Sequence, residues 1–200
     1  MKRLPSDERK EEILSKALAI IFESGARSLT MRSLAQRVGL SEAAIYRHFR
    51  HKEDLIQNLT NQTCDPLLAE GLEKSDPWEA LQKLMQRQLQ RLSEKPQLTA
   101  IIFQEELFSE YPQIKQKLMA HQKEKKELIQ SALARGQKEG VFKPNIEKEI
   151  FTLIYMGSVR MAALNWKESG FSYSLPKQGE RILSLIESLL KEDENDGAGD

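Results

Sequence analysis

Side chains of the types that can bind phosphate are concentrated between residues 27 and 52 of this chain. Six of them are basic and Glu42 is the one acid in that interval, although the whole chain balances 30 Lys and Arg against 30 Asp and Glu. A protein that holds a phosphate backbone needs such a local excess of cations rather than a high overall charge. A run of charge is also typical of a solvated helix surface, so the charges alone leave both interpretations open. The six cations are Arg27, Arg32, Arg37, Arg47, Arg50 and Lys52.

The basic side chains fall in a segment whose spacing predicts two short helices joined by a tight turn. Thr30 is expected to cap the first helix and Ser41 the second, and Gly39 supplies the left-handed residue that ends the first. Ile45 and Phe49 are four residues apart and are expected to point inward. This is the arrangement that places a second helix in the major groove of DNA. The residues left on or near the outer surface are Ala43, Ala44, Tyr46, Arg47 and His48.

The stretch from Thr30 to Leu55 resembles the DNA-binding domain of the tetracycline-repressor (TetR/AcrR) family. Three pieces carry the resemblance: the turn Gly39-Leu40-Ser41, the run Ile-Tyr-Arg-His-Phe at 45–49, and the helix start Lys-Glu-Asp-Leu at 52–55. The resemblance covers about Glu8 to Leu59 of this chain. The resemblance implies a transcription regulator that is not an enzyme, with a helix-turn-helix domain over residues 1–60. It also implies a helical ligand-binding and dimerisation domain over residues 61–191.

The same resemblance implies phosphate contacts for Tyr46, His48 and Lys52. Physical chemistry agrees for Lys52, because an ammonium group and the positive end of a helix together favour a phosphate. Thr30 and Ser41 offer hydroxyl and backbone N–H groups at two more helix starts. Such contacts position a protein on DNA and do not select a sequence.

Base recognition is expected from the front of the second helix and from the first. Ala43 and Ala44 have no hydrogen-bonding side chains, but methyl groups contact thymine and small residues let the backbone approach the base edges. Arg32 and Arg47 are therefore the best candidates for a guanine contact. Alternatively, each arginine binds a DNA phosphate or forms an ion pair with an acidic side chain of the same chain.

The remaining chain has helix signals and no strand pattern, so the fold class is predicted to be all-α. Asp76 is placed to cap a helix that has Pro77 at its first position. The acidic end of the chain, residues 192–200, is expected to be disordered. Predicted helices run over about 6–24, 77–93, 110–139, 145–168 and 174–191, with a short one carrying Ile101, Ile102, Leu107 and Phe108.

Pro66 is expected to interrupt the helix that starts near Lys52, because proline lacks an N–H and its ring collides with the carbonyl four residues earlier. The expected kink or break lies between Gln62 and Pro66. One interpretation makes it a hinge that converts a ligand-side movement into a new spacing of the DNA-reading helices. The other is that Pro66 merely begins a new helix.

The penultimate helix has two apolar faces, which predicts two packing partners. One face includes Leu153, Gly157 and Met161, and the other includes Phe151 and Tyr155. A two-fold homodimer in which the last two helices meet their copies as a four-helix bundle satisfies both faces, as in the family. The alternative is a helix buried entirely within one chain. The predicted dimer interface comprises Tyr155, Ala162, Trp166, Ile182, Leu185, Ile186 and Leu189.

By resemblance, a small ligand is expected inside the larger domain, and the groups available to line its site are mostly apolar. This composition predicts a largely apolar molecule with few polar contacts, although ordinary core packing explains each residue as well. The apolar candidates are Leu81, Met85, Phe103, Phe108, Tyr111, Leu153 and Met161, and the polar ones are His121, Arg160 and Asn165.

Other classes of function have little support. Cys64 is the single cysteine and has no neighbouring histidine to activate it, and His48 and His51 lack the cysteine or carboxylate that would complete a metal site. No cofactor motif, signal peptide or membrane-length apolar run is found. The expectation is a cytoplasmic homodimer that binds a palindromic DNA operator and is released by a small effector. The alternative is a DNA-binding protein of the same fold that answers to a protein partner and has no ligand cavity.

Overall fold

The structure, a computed structural model, describes residues 6–64, 70–103 and 110–191, and this part of the chain contains helices and no strand. The all-α prediction is therefore confirmed. The predicted acidic tail over 192–200 and the ligand candidate Phe108 lie outside the described residues. The helices are α1 (Ser6–Ser24), α2 (Met31–Val38), α3 (Glu42–Tyr46), α4 (Lys52–Thr63), α5 (Pro77–Glu94), α6 (Thr99–Ile102), α7 (Pro112–Lys138), α8 (Lys148–Glu168) and α9 (Leu175–Leu190).

The first of two compact units, called here the N-terminal unit, comprises residues 1–65 and 97–119. Its core forms where α1 packs on α2 and α4. Ile13 and Ile21 of α1 have no exposed surface, and neither do Leu34 of α2 and Leu55 of α4. Residues 97–119 were assigned by sequence to the larger domain, but they belong to this unit because α6 buries its apolar side chains against α1 and α4.

The second unit, called here the C-terminal unit, comprises residues 66–96 and 120–200. In it α9 packs along α5, and α8 contacts both helices. The approach of α9 to α5 is close at Gly179, where an added Cβ would lie 2.5 Å from a methyl carbon of Leu89. Asp76 caps α5 as expected, since its carboxylate accepts the N–H groups of Trp78 and Glu79.

Helix α4 ends at Thr63, inside the interval where the sequence predicts a kink or break. The last N–H of this turn, on Cys64, donates to the carbonyl of Thr60. Pro66 lies outside the described residues, so its proposed role as a hinge stays a prediction.

Candidate nucleic-acid interface

Helix α2 begins with a reciprocal pair of hydrogen bonds between Thr30 and Ser33. The Thr30 hydroxyl accepts the N–H of Ser33 at 2.9 Å, and the Ser33 hydroxyl accepts the N–H of Thr30 at 3.0 Å. Ser33 also donates to the carbonyl of Ser28 at 2.7 Å. Thr30 was predicted as the cap from the sequence and Ser33 was not, although a hydroxyl residue three positions after a capping threonine is a variant of the capping box. The Thr30 hydroxyl is thus committed to the helix start.

The turn between α2 and α3 is built on Gly39, which has φ 76° and ψ 33°. This left-handed conformation costs other residues energy because their Cβ meets the following carbonyl. It lets the N–H groups of Gly39 and Leu40 both bond the carbonyl of Ala35, at 3.0 and 2.9 Å. The turn therefore ends α2 without leaving these groups unpaired, and it sets the direction in which α3 leaves.

Helix α3 presents a small polar surface above a sealed core. Ser41 caps it by accepting the N–H of Ala44 at 3.2 Å. Ile45 and Phe49 have no exposed surface, as the sequence predicts, and the ammonium of Lys10 lies 5.4 Å from the Phe49 ring centre. The opposite side of this segment is open to solvent, with Ala43 and Arg47 exposed and Tyr46 exposed by 46%. Ala44 and His48 are half-buried beside them.

The start of α4 is organised by Asp54, whose carboxylate accepts the N–H of Arg50 at 3.1 Å and an amide N–H of Asn58 at 3.0 Å. Lys52 is the first residue of the helix and is half-buried, while His51 precedes it without capping it through its side chain. A lysine at the positive end of a helix is suited to a phosphate oxygen. This arrangement is compatible with the phosphate role that the resemblance implies for Lys52.

The arginines of this region differ in what they contact. Arg37 reaches both carboxylate oxygens of Glu23, at 2.6 and 2.5 Å, and so joins α2 to α1. Arg32 and Arg47 are exposed, and their side chains form no hydrogen bond or ion pair with the described residues. The alternative in which these two hold an intramolecular acid therefore finds no support in this part of the chain. Both side chains are therefore available for an external anion or base. Arg50 is exposed as well, since its hydrogen bond to Asp54 is made by the backbone N–H.

The ligand candidates fall into three groups. Leu81 and Met85 have no exposed surface and lie in the core of the C-terminal unit. Phe103 and Tyr111 are half-buried in the N-terminal unit. Leu153 and Met161 are 69% and 51% exposed, and Arg160 and Asn165 are exposed too. Because these four lie on the outer side of α8, they do not line an interior cavity of the subunit.

His121 is the polar ligand candidate with an unusual environment. Its Nε2 is buried and has no hydrogen-bond partner among the described residues, whereas its Nδ1 lies 3.7 Å from a carboxylate oxygen of Glu124. Burial lowers the pKa of His121, as does the charge of Lys125, and Glu124 opposes both effects. A buried nitrogen without a protein partner is uncommon in folded proteins.

The residues of α8 that were predicted to form the dimer interface are buried inside their own subunit. Tyr155, Ala162 and Trp166 are no more than 5% exposed because they form the inner face of α8. The Tyr155 hydroxyl donates to the carbonyl of Leu81 at 2.6 Å, and burial raises its pKa. Trp166 Nε1 donates to the carbonyl of Tyr173 at 2.7 Å. These side chains are therefore unavailable to a second chain.

On α9 the predicted interface is divided. Leu185 and Leu189 are 62% and 54% exposed, Ile182 is half-buried, and Ile186 is only 3% exposed. Leu185 and Leu189 thus remain candidates for contact with a partner. Ile186 belongs to the core of its own chain.

Among the described residues there is no cluster of three potential metal ligands, and no helix there is long and apolar enough to cross a membrane. His48 and His51 accordingly stand without a third ligand in the described region.

Comparison with known proteins covers nearly the whole chain. Residues 13–59 match the family model for bacterial regulatory proteins of the tetR family, and residues 57–188 match the model for the C-terminal region of YsiA-like proteins. The nucleoid occlusion factor SlmA of Vibrio vulnificus is 30% identical over 190 residues, which are 92% of this chain and 96% of that protein. The transcriptional repressor KstR2 of Mycobacterium tuberculosis is 23% identical over 89% of this chain and 90% of its own.

Solved structures share the fold. The ketosteroid transcriptional regulator KstR2 of Mycobacterium tuberculosis superposes with a TM-score of 0.81 at 21% identity, covering 92% of this chain and 96% of that one. The regulator FadR of Bacillus subtilis, in complex with stearoyl-CoA, superposes with a TM-score of 0.72 at 21% identity, covering 90% of this chain and 98% of that one. The C-terminal family model alone spans more than half of the chain. With its helix-turn-helix and its two matching family models, the chain belongs to the TetR family of DNA-binding transcriptional regulators and is not an enzyme.

Proposed function

We propose that this protein is a homodimeric cytoplasmic repressor that binds a palindromic operator and leaves it when a small, largely apolar ligand binds. The observation that carries the DNA-binding half is the pair Arg32 and Arg47, which are exposed on the helix-turn-helix and have no partner among the described residues. Arginine is the side chain that pairs with guanine in the major groove. Tyr46, His48 and Lys52 beside them supply the phosphate contacts.

The homodimer is supported by where the exposed hydrophobic side chains lie. Nine large hydrophobic residues of the described chain are substantially exposed, and six of them lie on α8 and α9. Large apolar side chains exposed in such number on two helices are unusual on a monomer and support an interface. Two copies related by a two-fold axis present two recognition helices, and such a dimer binds a palindromic DNA site. The six residues are Ile150, Leu153, Ile154, Met161, Leu185 and Leu189.

The ligand half is supported by His121, a partly buried polar residue of a unit whose described buried side chains are mostly apolar. Its buried Nε2 has no partner within the described residues, while the Tyr155 hydroxyl is already bonded to Leu81. A ligand that enters this unit would meet few polar groups, and an oxygen of the ligand would satisfy the histidine nitrogen. Two solved structures of this fold are associated with molecules that have a large apolar part: FadR is in complex with stearoyl-CoA, whose acyl chain is apolar although its coenzyme A part is charged, and KstR2 is a ketosteroid regulator.

Release of a labelled operator by candidate ligands tests the proposal. Stearoyl-CoA, free stearate, coenzyme A and a 3-ketosteroid are titrated into the complex while fluorescence anisotropy reports the bound DNA. The compound that releases DNA should also raise the Tm of the DNA-free protein, because it binds the folded state. His121→Leu should weaken that compound at least tenfold and leave operator affinity unchanged. Gln122→Leu, an exposed neighbour on α7, serves as the control.

A second candidate is control by a protein partner. The observation behind it is the 30% identity to SlmA, whose name, nucleoid occlusion factor, mentions no small ligand. An experimental structure separates the two. A cavity of several hundred Å3 in the C-terminal unit supports a small-molecule sensor, and a solid core throughout that unit supports the protein partner.

A further inference from the structure

The two ring nitrogens of His121 lie in different surroundings. Nδ1 is 3.7 Å from a carboxylate oxygen of Glu124, whose side chain is 74% exposed. Nε2 is buried and has no hydrogen-bond partner among the residues that the structure describes. A neutral imidazole carries a proton on one nitrogen and accepts a hydrogen bond at the other. The position of the proton therefore decides which kind of group Nε2 can bind.

The carboxylate of Glu124 sets the position of that proton. At 3.7 Å the contact is too long for a full hydrogen bond, but its electrostatic effect remains. A lone pair on Nδ1 would be repelled by the negative oxygen, whereas an N–H at Nδ1 is attracted to it. The proton is therefore favoured on Nδ1, and Nε2 is left with a lone pair.

The charges around the imidazole favour a neutral group opposite Nε2. Burial lowers the pKa of His121 and the charge of Lys125 lowers it further, against the opposing effect of Glu124, so the ring is neutral at pH 7. An anionic group would face a lone pair with no proton between them. A cationic group would be repelled by Lys125. A neutral O–H or N–H meets neither obstacle.

We infer that Nε2 of His121 accepts a hydrogen bond from a neutral O–H or N–H group of the effector, which is then an apolar alcohol, phenol or amide rather than a carboxylate or a ketone. This inference rests on the proposed small-ligand control and names the polar group that the ligand carries. A ketone or carboxylate oxygen has no hydrogen to donate. Burying such an oxygen against Nε2 leaves two acceptors unsatisfied, which costs binding free energy.

Nuclear magnetic resonance of the ligand-free protein tests the state of the ring. In isotope-labelled protein the chemical shift distinguishes a protonated from an unprotonated ring nitrogen, and the signals of His121 are those missing from His121→Gln. We expect Nε2 to be unprotonated. Glu124→Gln should shift the proton toward an even distribution between the two nitrogens. Glu127→Gln is the control, because Glu127 is an exposed glutamate of the same helix that is paired with Lys123.

Two pairs of compounds that differ only in the hydrogen-bonding group test the ligand class. One pair is a 3-hydroxysteroid and the 3-ketosteroid of the same skeleton, and the other is dodecan-2-ol and dodecan-2-one. Calorimetry measures their binding to the DNA-free protein, and fluorescence anisotropy measures release of the operator. In a pair that binds, we expect the alcohol to bind at least about tenfold more tightly than the ketone.

Variants at and beside His121 show whether this preference comes from Nε2. His121→Gln should reduce it to within about threefold, because a rotating side-chain amide offers either an oxygen or an N–H. Gln122→Leu changes an exposed neighbour and should keep the preference. Circular dichroism establishes that each variant is folded. If His121→Gln is unfolded, the preference of the wild type for the alcohol decides.

The outcomes separate this inference from the proposed function. A proton on Nε2 in the wild type overturns the inference. A ketone that binds and releases DNA as well as its alcohol also overturns it, but leaves the small-ligand control standing. If neither pair binds, the proposed control by an apolar ligand is contradicted and this inference falls with it.

Discussion

The Tyr155 hydroxyl donates a hydrogen bond to the backbone carbonyl of Leu81 at 2.6 Å, between two helices of the C-terminal unit. Tyr155 is 1% exposed and Leu81 has no exposed surface, so the bond is made without water. It fixes which face of α8 is turned toward α5. The opposite face, with Leu153 and Met161, is left to solvent or to a partner.

Removing this bond should destabilise the C-terminal unit. We expect Tyr155→Phe to lower the free energy of unfolding by about 1–2 kcal/mol, the usual cost of losing a buried hydrogen bond. Trp78 and Trp166 are buried in the same unit, so tryptophan fluorescence during urea denaturation reports its unfolding. Tyr173→Phe is the control. The Tyr173 side chain is 39% exposed, and its hydroxyl lies 3.4 Å from the carbonyl oxygen of Ala162, so its hydrogen bond is weaker. Equal stability of the two variants would contradict the assignment.

Two adjacent residues of α9 should respond differently to a charge. Leu185→Glu places a charge among the exposed apolar side chains of α9. It should weaken the dimer by about 100-fold or more, because an unpaired ion buried at an interface costs several kcal/mol, while the subunit stays folded. Ile186→Glu places it in the core of the same chain and should unfold the subunit. Size-exclusion chromatography with circular dichroism distinguishes a folded monomer from an unfolded chain. A folded dimer for Leu185→Glu would mean that the subunits meet elsewhere.

The Lys52 ammonium is expected to neutralise a phosphate rather than to read a base. Lys52→Ala should weaken binding to every duplex alike and reduce the slope of log affinity against log salt by about one unit per subunit. Lys123→Ala, an exposed lysine of α7 paired with Glu127, is the control and should leave the slope unchanged. An altered base preference with an unchanged slope would refute the phosphate contact.

Arg32 is expected to read a base, unlike Lys52, which is expected to contact a phosphate. Arg32→Ala is expected to relax preference at one position of each half-site, at a cost of about 1–3 kcal/mol for the preferred base. Binding to a panel of single-base operator variants measures this. Uniform weakening across the panel would show that Arg32 contacts only the backbone.

His121 should make stability depend on pH. Burial and Lys125 lower its pKa in the folded protein, so the unfolded chain takes up the proton more readily. Stability should therefore fall as the pH decreases below about 6.5, the ordinary histidine value, and should be retained above it. Urea denaturation between pH 8 and pH 5 should show a smaller loss for His121→Gln than for the wild type. The same loss in both proteins would contradict the assignment to His121.

The local elements of the helix-turn-helix were predictable because each is specified by residues close together in sequence. Thr30, Gly39 and Ser41 act through bonds that span only a few residues. The orientation of α8 was not predictable in this way. Both of its faces are apolar, and the inner one is chosen by bonds to distant residues, such as that from Tyr155 to Leu81. For the same reason the sequence assigned Leu153 and Met161 to a ligand site and Tyr155 to the dimer, whereas their exposures are the reverse.

Selection of bound sequences from random duplex DNA tests the central claim most directly. A two-fold dimer that reads DNA through α3 should enrich a palindrome whose half-site centres lie about 10 base pairs, or roughly 34 Å, apart or at a multiple of that spacing. The double variant Arg32→Ala, Arg47→Ala, processed in parallel, should lose that enrichment. Recovery of a single unrepeated half-site, or of the same palindrome with the double variant, would contradict the account.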